Sequence, residues 1–287
     1  MLKSFLLLSF IILSVAGTVL PDAACAQLPR ERADRDEPIT NIFWANTNVG
    51  LNTVRSDPAG TMNTTVKHAF GLVEGGVETF FGMDDGANTR LGVEYALTDR
   101  FMAGIGRMTF RNVVDLSMKY NLLRQTTTGS TPIDLAVYGS AGAETLSGTG
   151  LNFSERLSYF ASVMAARNFG RFSFQVSPMY GHFNRATGEN RHHLFGLGVS
   201  AQYELNDRLA LGAEYLPVLG ERNPDTSDAL GISLNIDTGG HIFQLFFTTT
   251  QWHNEQYIMA RNSDRFWEGA FRFGFNIHRV FVLREDR

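Results

Sequence analysis

Between Ala270 and Leu283 the sequence AFRFGFNIHRVFVL alternates residue by residue, with Phe271, Phe273, Phe275 and Ile277 on one parity and Arg272, Gly274, Asn276 and His278 on the other. Successive side chains of a β-strand point to opposite faces, so this segment has one aromatic face and one face carrying a cation, an amide and an imidazole. The pattern recurs. Arg171 to Phe183 sets Phe172, Phe174 and Val176 against Ser173, Gln175 and Ser177, and Leu230 to Asp237 sets Leu230, Ile232, Leu234 and Ile236 against Gly231, Ser233, Asn235 and Asp237. Val114 to Leu122 places Leu116, Met118, Tyr120 and Leu122 opposite Asp115, Ser117, Lys119 and Asn121. In a soluble sandwich the polar parity would face water. In a membrane barrel the apolar parity faces lipid and the polar parity the lumen. Periodicity alone leaves both open.

From Thr61 onward about twelve segments read as strands, within the even-numbered range of bacterial barrels. They lie near Thr61 to Phe70, Thr89 to Leu97, Phe101 to Thr109, Val113 to Leu123, Ile133 to Ala143, Arg156 to Phe169, Arg171 to Phe183, His193 to Leu205, Arg208 to Val218, Leu230 to Asp237, His241 to Thr250 and Ala270 to Leu283. Their connections sort by length. Short turns fall at Thr98 to Arg100, Gly170, Asn206 to Asp207 and Thr238 to Gly240; long loops fall at Leu72 to Asn88, Glu144 to Glu155, Asn184 to His192, Leu219 to Ala229 and Gln251 to Gly269. The two sets belong to opposite ends of an up-and-down array, the expected asymmetry of short periplasmic turns and long outer loops. Two connections blur it: Phe110 to Asn112 is tight for an outer loop, and Gln125 to Pro132 is long for a periplasmic turn.

The first 26 residues add the compartment. A basic start at Lys3, an apolar run from Phe5 to Leu20, Pro21 and an Ala24-Cys25-Ala26 close have the layout of a cleavable secretory signal, cut after Ala26. A lipoprotein signal at Cys25 is the weaker alternative, because Asp22 stands where an aliphatic residue is wanted. Cleavage removes the single cysteine, so the mature chain forms no disulfide. No later window approaches the roughly 18 consecutive apolar residues of a membrane helix, so entry into a membrane must be as a barrel. The 23 Phe and 28 Gly suit strands with one lipid face and a crowded interior, and a net charge of −4 without clustering of either sign gives no footprint for nucleic acid. The chain therefore divides into a signal peptide (1–26), a polar leader with a plug, periplasmic turn or extra strand over Ile39 to Val54 (27–59), and an all-β, transmembrane, up-and-down antiparallel β-barrel of about twelve strands (60–287).

The stretches TRLGVEYALTDRFMAGIGR (Thr89 to Arg107), KYNLLRQTTTG (Lys119 to Gly129), IDTGGHIFQLFFTTTQ (Ile236 to Gln251) and FRFGFNIHRVF (Phe271 to Phe281) resemble an outer-membrane β-barrel family catalogued as a domain of unknown function, number fifty-seven seventy-seven. The resemblance runs from about Ile39 to Leu283 and implies a barrel in the outer membrane of a diderm bacterium, without an assigned activity. Outer-membrane barrels commonly end on an aromatic residue, whereas this chain runs past Phe281 to Arg287, which leaves Phe281-Val282-Leu283 as an internal signal for the barrel-assembly machinery.

The polar parity supplies the lumen candidates: Arg90, Glu94, Asp115, Lys119, Glu214, Asp237, Gln244, Arg272, Asn276 and His278. Charges of both signs in a narrow cylinder must pair or stay hydrated, so these residues form either a structural network or a constriction that sorts solutes. Tyr120, Phe172, Phe271, Phe273 and Phe275 are expected at the lipid interface, with Trp252 and Trp267 flanking the last long loop as a headgroup girdle. The alternative for that loop is folding over the mouth. His68 and His182 share the outward parity, as a lipid-hydrolysing Ser-His pair would require, but no G-x-S-x-G elbow accompanies them, and no enzyme activity is expected. The doublet His192-His193 is a poor chelate, since neighbours in an extended segment point apart. No metal, nucleotide or other cofactor is expected. The best functional reading is a narrow porin-like channel for small hydrophilic solutes. Its alternatives are an occluded barrel that docks a periplasmic partner through the leader (Arg30 to Glu37 or Ile39 to Val54) and, last, a lipid-modifying enzyme.

Overall fold

The computed structural model describes residues 36–284. The expected signal peptide and residues 27–35 of the leader lie outside the described residues. Twelve antiparallel strands close into a barrel: β1 (Thr61–Leu72), β2 (Ala87–Thr98), β3 (Phe101–Met108), β4 (Val113–Leu123), β5 (Asp134–Glu144), β6 (Leu157–Phe169), β7 (Phe172–Phe183), β8 (His193–Glu204), β9 (Leu209–Leu216, continued past Pro217 by Val218–Leu219), β10 (Ala229–Asp237), β11 (Ile242–Thr248) and β12 (Arg272–Val282). Each strand pairs with its sequence neighbours, and β1 closes on β12 in a register running from Thr61 opposite Val282 to Leu72 opposite Arg272. Closure leaves no sheet edge unpaired, which a β-structure surrounded by lipid requires. Pro217 interrupts β9 because it has no N–H to donate, yet its carbonyl still accepts from the Leu197 N–H at 3.1 Å.

Burial settles which parity looks outward. On β4, Leu116 and Met118 are 58% and 60% exposed, whereas Asp115 and Lys119 are 1% and 3% exposed. A soluble core would reverse these values, so the molecule is a transmembrane barrel with an apolar belt and a polar interior. No helix among the described residues is long and apolar enough to cross a membrane.

The short turns and long loops separate to opposite ends as expected. The tight connection at Phe110–Asn112 does lie at the long-loop end, made by left-handed backbone at Arg111 (φ 61°) and Asn112 (φ 51°). The unexpectedly long turn after β4 has a partner. Ile39 N–H donates to the Gln125 carbonyl at 2.7 Å, Thr127 N–H donates to the Glu37 carbonyl at 2.9 Å, and Pro38 bridges Thr126, so this turn clasps the N-terminal segment where it enters the barrel. Asp36 completes the clasp by accepting from Thr128 (hydroxyl at 2.5 Å) and from the Ser130 hydroxyl. Hydrogen bonds from Ser130, Thr128 and Thr126 hold its carboxyl down to about 2.

Candidate functional site

Residues 42–54, most of the stretch Ile39 to Val54, are buried inside the barrel as a plug. The segment forms a small hairpin of its own, with Thr47 bridging Asn52, and it joins no strand of the wall in a ladder. Irregular backbone can be buried only if each N–H and C=O finds a partner, and here the partners are wall side chains. Glu214 of β9 accepts three N–H groups at the hairpin tip, from Val49 (2.9 Å), Gly50 (2.8 Å) and Leu51 (3.1 Å). Asn276 donates to the Val49 carbonyl at 2.8 Å, and Gln244 to the Thr47 carbonyl at 3.1 Å. Gln175 accepts from Val54 N–H at 2.8 Å and donates to the Asn52 carbonyl at 2.8 Å. Lys119 donates to the carbonyls of Thr53 and Arg55, Asn121 to that of Val54 at 2.7 Å, and Trp44 Nε1 to Glu204 at 2.8 Å.

The other end is closed by the loop between β11 and β12. Its helix α1 (Glu255–Arg261) is buried from Glu255 to Ala260 and lies in the mouth. Arg261 is held by Glu144 at 3.2 Å, and Glu144 also pairs with Arg111 at 2.7 Å. Plug and helix meet at Glu255, whose Oε1 accepts from Asn52 N–H at 2.9 Å and from Asn52 Nδ2 at 2.6 Å. Beside this contact lies a polar cavity of about 20 Å³, lined by Lys67, Glu94, His253, Glu255 and His278 among others, with room for about one water. An apolar part completes the filling: Phe43, Leu51 and Val54 of the plug and Tyr257, Ile258 and Met259 of α1 share one cluster with Met164, Met179, Leu194 and Leu216 of the wall.

Arg90, Glu94, Asp115, Lys119, Glu214, Gln244, Asn276 and His278 all reach the lumen. Arg90 pairs with Asp115 (Nη2 to Oδ1 2.5 Å, Nε to Oδ2 3.1 Å), and Glu94 accepts from Asn46 of the plug at 2.8 Å. His278 lies within 3.3 Å of the Thr65 hydroxyl and of Gln244 Oε1. Arg272 stands nearer the mouth, paired with Asp264 at 2.8 Å.

Two expectations are corrected. Asp237 has the inward parity but sits at the rim, where its carboxylate accepts from Gly239 N–H at 2.7 Å in the turn; strand β10 ends at that residue. Trp252 is buried, stacked on Tyr257 at 5.6 Å with Nε1 donating to the Arg261 carbonyl at 3.2 Å, because the loop turns inward and takes its first aromatic residue with it. Trp267 stays exposed, as do Tyr120 and Phe172, while Phe271, Phe273 and Phe275 are half-buried. His68 contacts the Thr89 hydroxyl at 2.8 Å, and His182 contacts Asn184 and His193.

Lys67, Asn121, Gln175 and Gln202 are lumen residues that the candidate set omitted, although the strand alternation carries them: each shares a parity with polar neighbours such as Thr65, Lys119, Ser173 and Ser200. Asn52 and Glu255 had no such signal, since neither lies in a strand.

The Arg90 guanidinium covers Gly106, where a β-carbon would clash with Nη2 and come within 2.8 Å of Nε. Gly106→Ala is therefore expected to destabilise the barrel by about 1–3 kcal/mol through overpacking. Urea unfolding from micelles checks this, and an unchanged midpoint would mean that Arg90 has a second berth.

A closed, membrane-spanning barrel of twelve strands whose lumen is filled from both ends is the class of protein these features define. The chain belongs to the family described as membrane bound beta barrel domain (DUF5777), which matches residues 43–281. The match thus takes in most of the plug as well as the wall. A comparison with curated proteins finds no match. Among solved structures the chain is similar to the NanC porin (9% identity, TM-score 0.48, covering 77% of this chain and 98% of that one). It is also similar to the KdgM porin (9% identity, TM-score 0.49, covering 77% and 99%). The COG4313 outer membrane channel from Pseudomonas putida F1 stands at 13% identity and TM-score 0.48, covering 79% and 97%.

Proposed function

We propose that the protein is an outer-membrane channel for small hydrophilic solutes, held shut in this conformation by residues 42–54 and α1. The observation that carries this reading is how the plug is held: it is fastened by wall side chains such as Glu214, Gln175 and Asn276 and not by strand pairing, so it can leave without breaking the sheet. The groups it would expose on the β1–β4 and β11–β12 side (Lys67, Arg90, Asp115, Lys119, Gln244, Asn276) are ones that water satisfies. Its surroundings in this reading are outer-membrane lipid and, during insertion, the barrel-assembly machinery.

A second reading, a permanently occluded barrel that docks a periplasmic partner through its leader, is favoured by the apolar contacts of Leu51, Ile258 and Met259 in the lumen, which an open state would expose. Planar-bilayer recording separates the two. The unaltered protein should be nearly silent, while a variant with residues 41–57 and residues 253–262 both replaced by Gly/Ser linkers of equal length should give steady discrete steps. A folded linker variant that stays silent would favour the docking barrel, and steady conduction by the unaltered protein would refute closure.

A further inference from the structure

Adjacent histidines point apart along a strand, but residues paired across two antiparallel strands point the same way. The register places His193, the first residue of β8, directly opposite His182 of β7, at the long-loop end and on the outward face. Their rings are 4.7 Å apart between centroids, and the two Nδ1 atoms face each other at 3.3 Å. His193 is exposed and His182 half-buried, so the gap between them is reachable from outside.

The hydrogen bonds fix what fills that gap. Asn184 Nδ2 donates to the Ser154 carbonyl at 2.9 Å, which leaves Asn184 Oδ1 towards His182 Nε2 at 3.1 Å. An amide oxygen only accepts, so neutral His182 carries its proton on Nε2 and presents a bare lone pair at Nδ1. On the other side the Tyr180 hydroxyl lies 2.6 Å from His193 Nδ1, a contact in which either group can donate. In the His193 tautomer that carries its proton on Nε2, with the Tyr180 hydroxyl donating to Nδ1, both Nδ1 atoms are acceptors 3.3 Å apart. Nitrogens bound at about 2.0–2.1 Å to one tetrahedral metal stand about 3.3–3.4 Å apart. The Nδ1 to Nδ1 distance is that separation, and rotation of the Tyr180 hydroxyl about its C–O bond frees the second lone pair.

The geometry points to a surface site for a late first-row divalent cation, Cu²⁺ or Zn²⁺, chelated by His182 Nδ1 and His193 Nδ1. The Asn184 contact to Nε2 is the outer hydrogen bond that holds a ligating imidazole in its tautomer. No set of three or more His, Cys, Asp or Glu side chains converges on a metal position among the described residues, so water completes the coordination and a hard cation such as Ca²⁺ is not held. His192 is not a ligand: its Nδ1 is bonded to the Phe183 carbonyl at 2.7 Å and its ring lies 6.2 Å from that of His182. A bound ion would tie β7 to β8 at the rim, beside the loop that joins them.

Titration of the untagged, detergent-folded full chain with Cu²⁺, Zn²⁺ and Ca²⁺ by calorimetry tests this, with electron paramagnetic resonance of the Cu²⁺ form. The expected result is one saturable site for Cu²⁺ and Zn²⁺, nitrogen hyperfine structure from two imidazoles, and no Ca²⁺ heat. His193→Ala and His182→Gln should each weaken binding at least tenfold, and His192→Ala should leave it unchanged. Retention of the heat-modifiable folded band on gels confirms that each variant still forms the barrel. Binding that survives the double replacement of His182 and His193, or its absence from the unaltered protein, would overturn the site.

Discussion

Glu214→Ala is expected to release the plug. The carboxylate accepts from the Val49, Gly50 and Leu51 N–H groups, which have no other hydrogen-bond partner among the described residues. A hydrogen bond to a charged group contributes about 1.5–3 kcal/mol, and a buried N–H left unpaired costs about 1–3 kcal/mol. Even if water entering the small void recovers half of this, roughly 3 kcal/mol is lost, a factor of about a hundred in favour of the displaced plug. Glu214→Gln should be nearly as harmful, because its NH₂ would confront N–H donors that now meet two acceptor oxygens. Hydrogen exchange of the backbone amides at 49–51 should accelerate by at least tenfold, and bilayer recordings should gain open events. Unchanged exchange at these amides would mean that the apolar contacts of Leu51 and Phe43 hold the plug without the carboxylate.

The second large effect concerns the wall. Asp115→Ala should destabilise the barrel by about 3–5 kcal/mol, since it strands the Arg90 guanidinium in a site where its side chain is 13% exposed and Asp115's is 0% exposed. The cost comes from the unpaired charge and not from the worth of the pair. Replacing both partners, Arg90→Met with Asp115→Leu, should therefore recover most of the lost stability, as double-mutant cycles in urea read directly. If the double variant is no more stable than Asp115→Ala, the ion pair is itself a net stabiliser of the lumen.

Several parts of this molecule were legible residue by residue. The alternation at Val114 to Leu122 assigned Asp115 and Lys119 to one face and Leu116 and Met118 to the other, and the structure keeps every one of them there. The inward position of Trp252 is not legible in the sequence, because aromatic residues beside a strand end carry the same composition whether they rest at the headgroups or fold into the mouth. What separates the two is the burial of α1, whose Arg261 is held by Glu144 at the end of β5, itself paired with Arg111 of the turn before β4. Likewise the doublet His192-His193 carries no hint of its useful partner, which lies eleven positions earlier and is brought across by register.

The sequence by itself determined the two-faced strands, their number and the sorting of loops by length, because side-chain alternation and turn length are local properties of the backbone. Only the tertiary structure decided that the lumen is occupied, that Glu214 and Asn276 serve a plug, and that His182 meets His193. Each of those depends on which distant residues closure of the cylinder sets facing one another, and chain-local physics does not encode that.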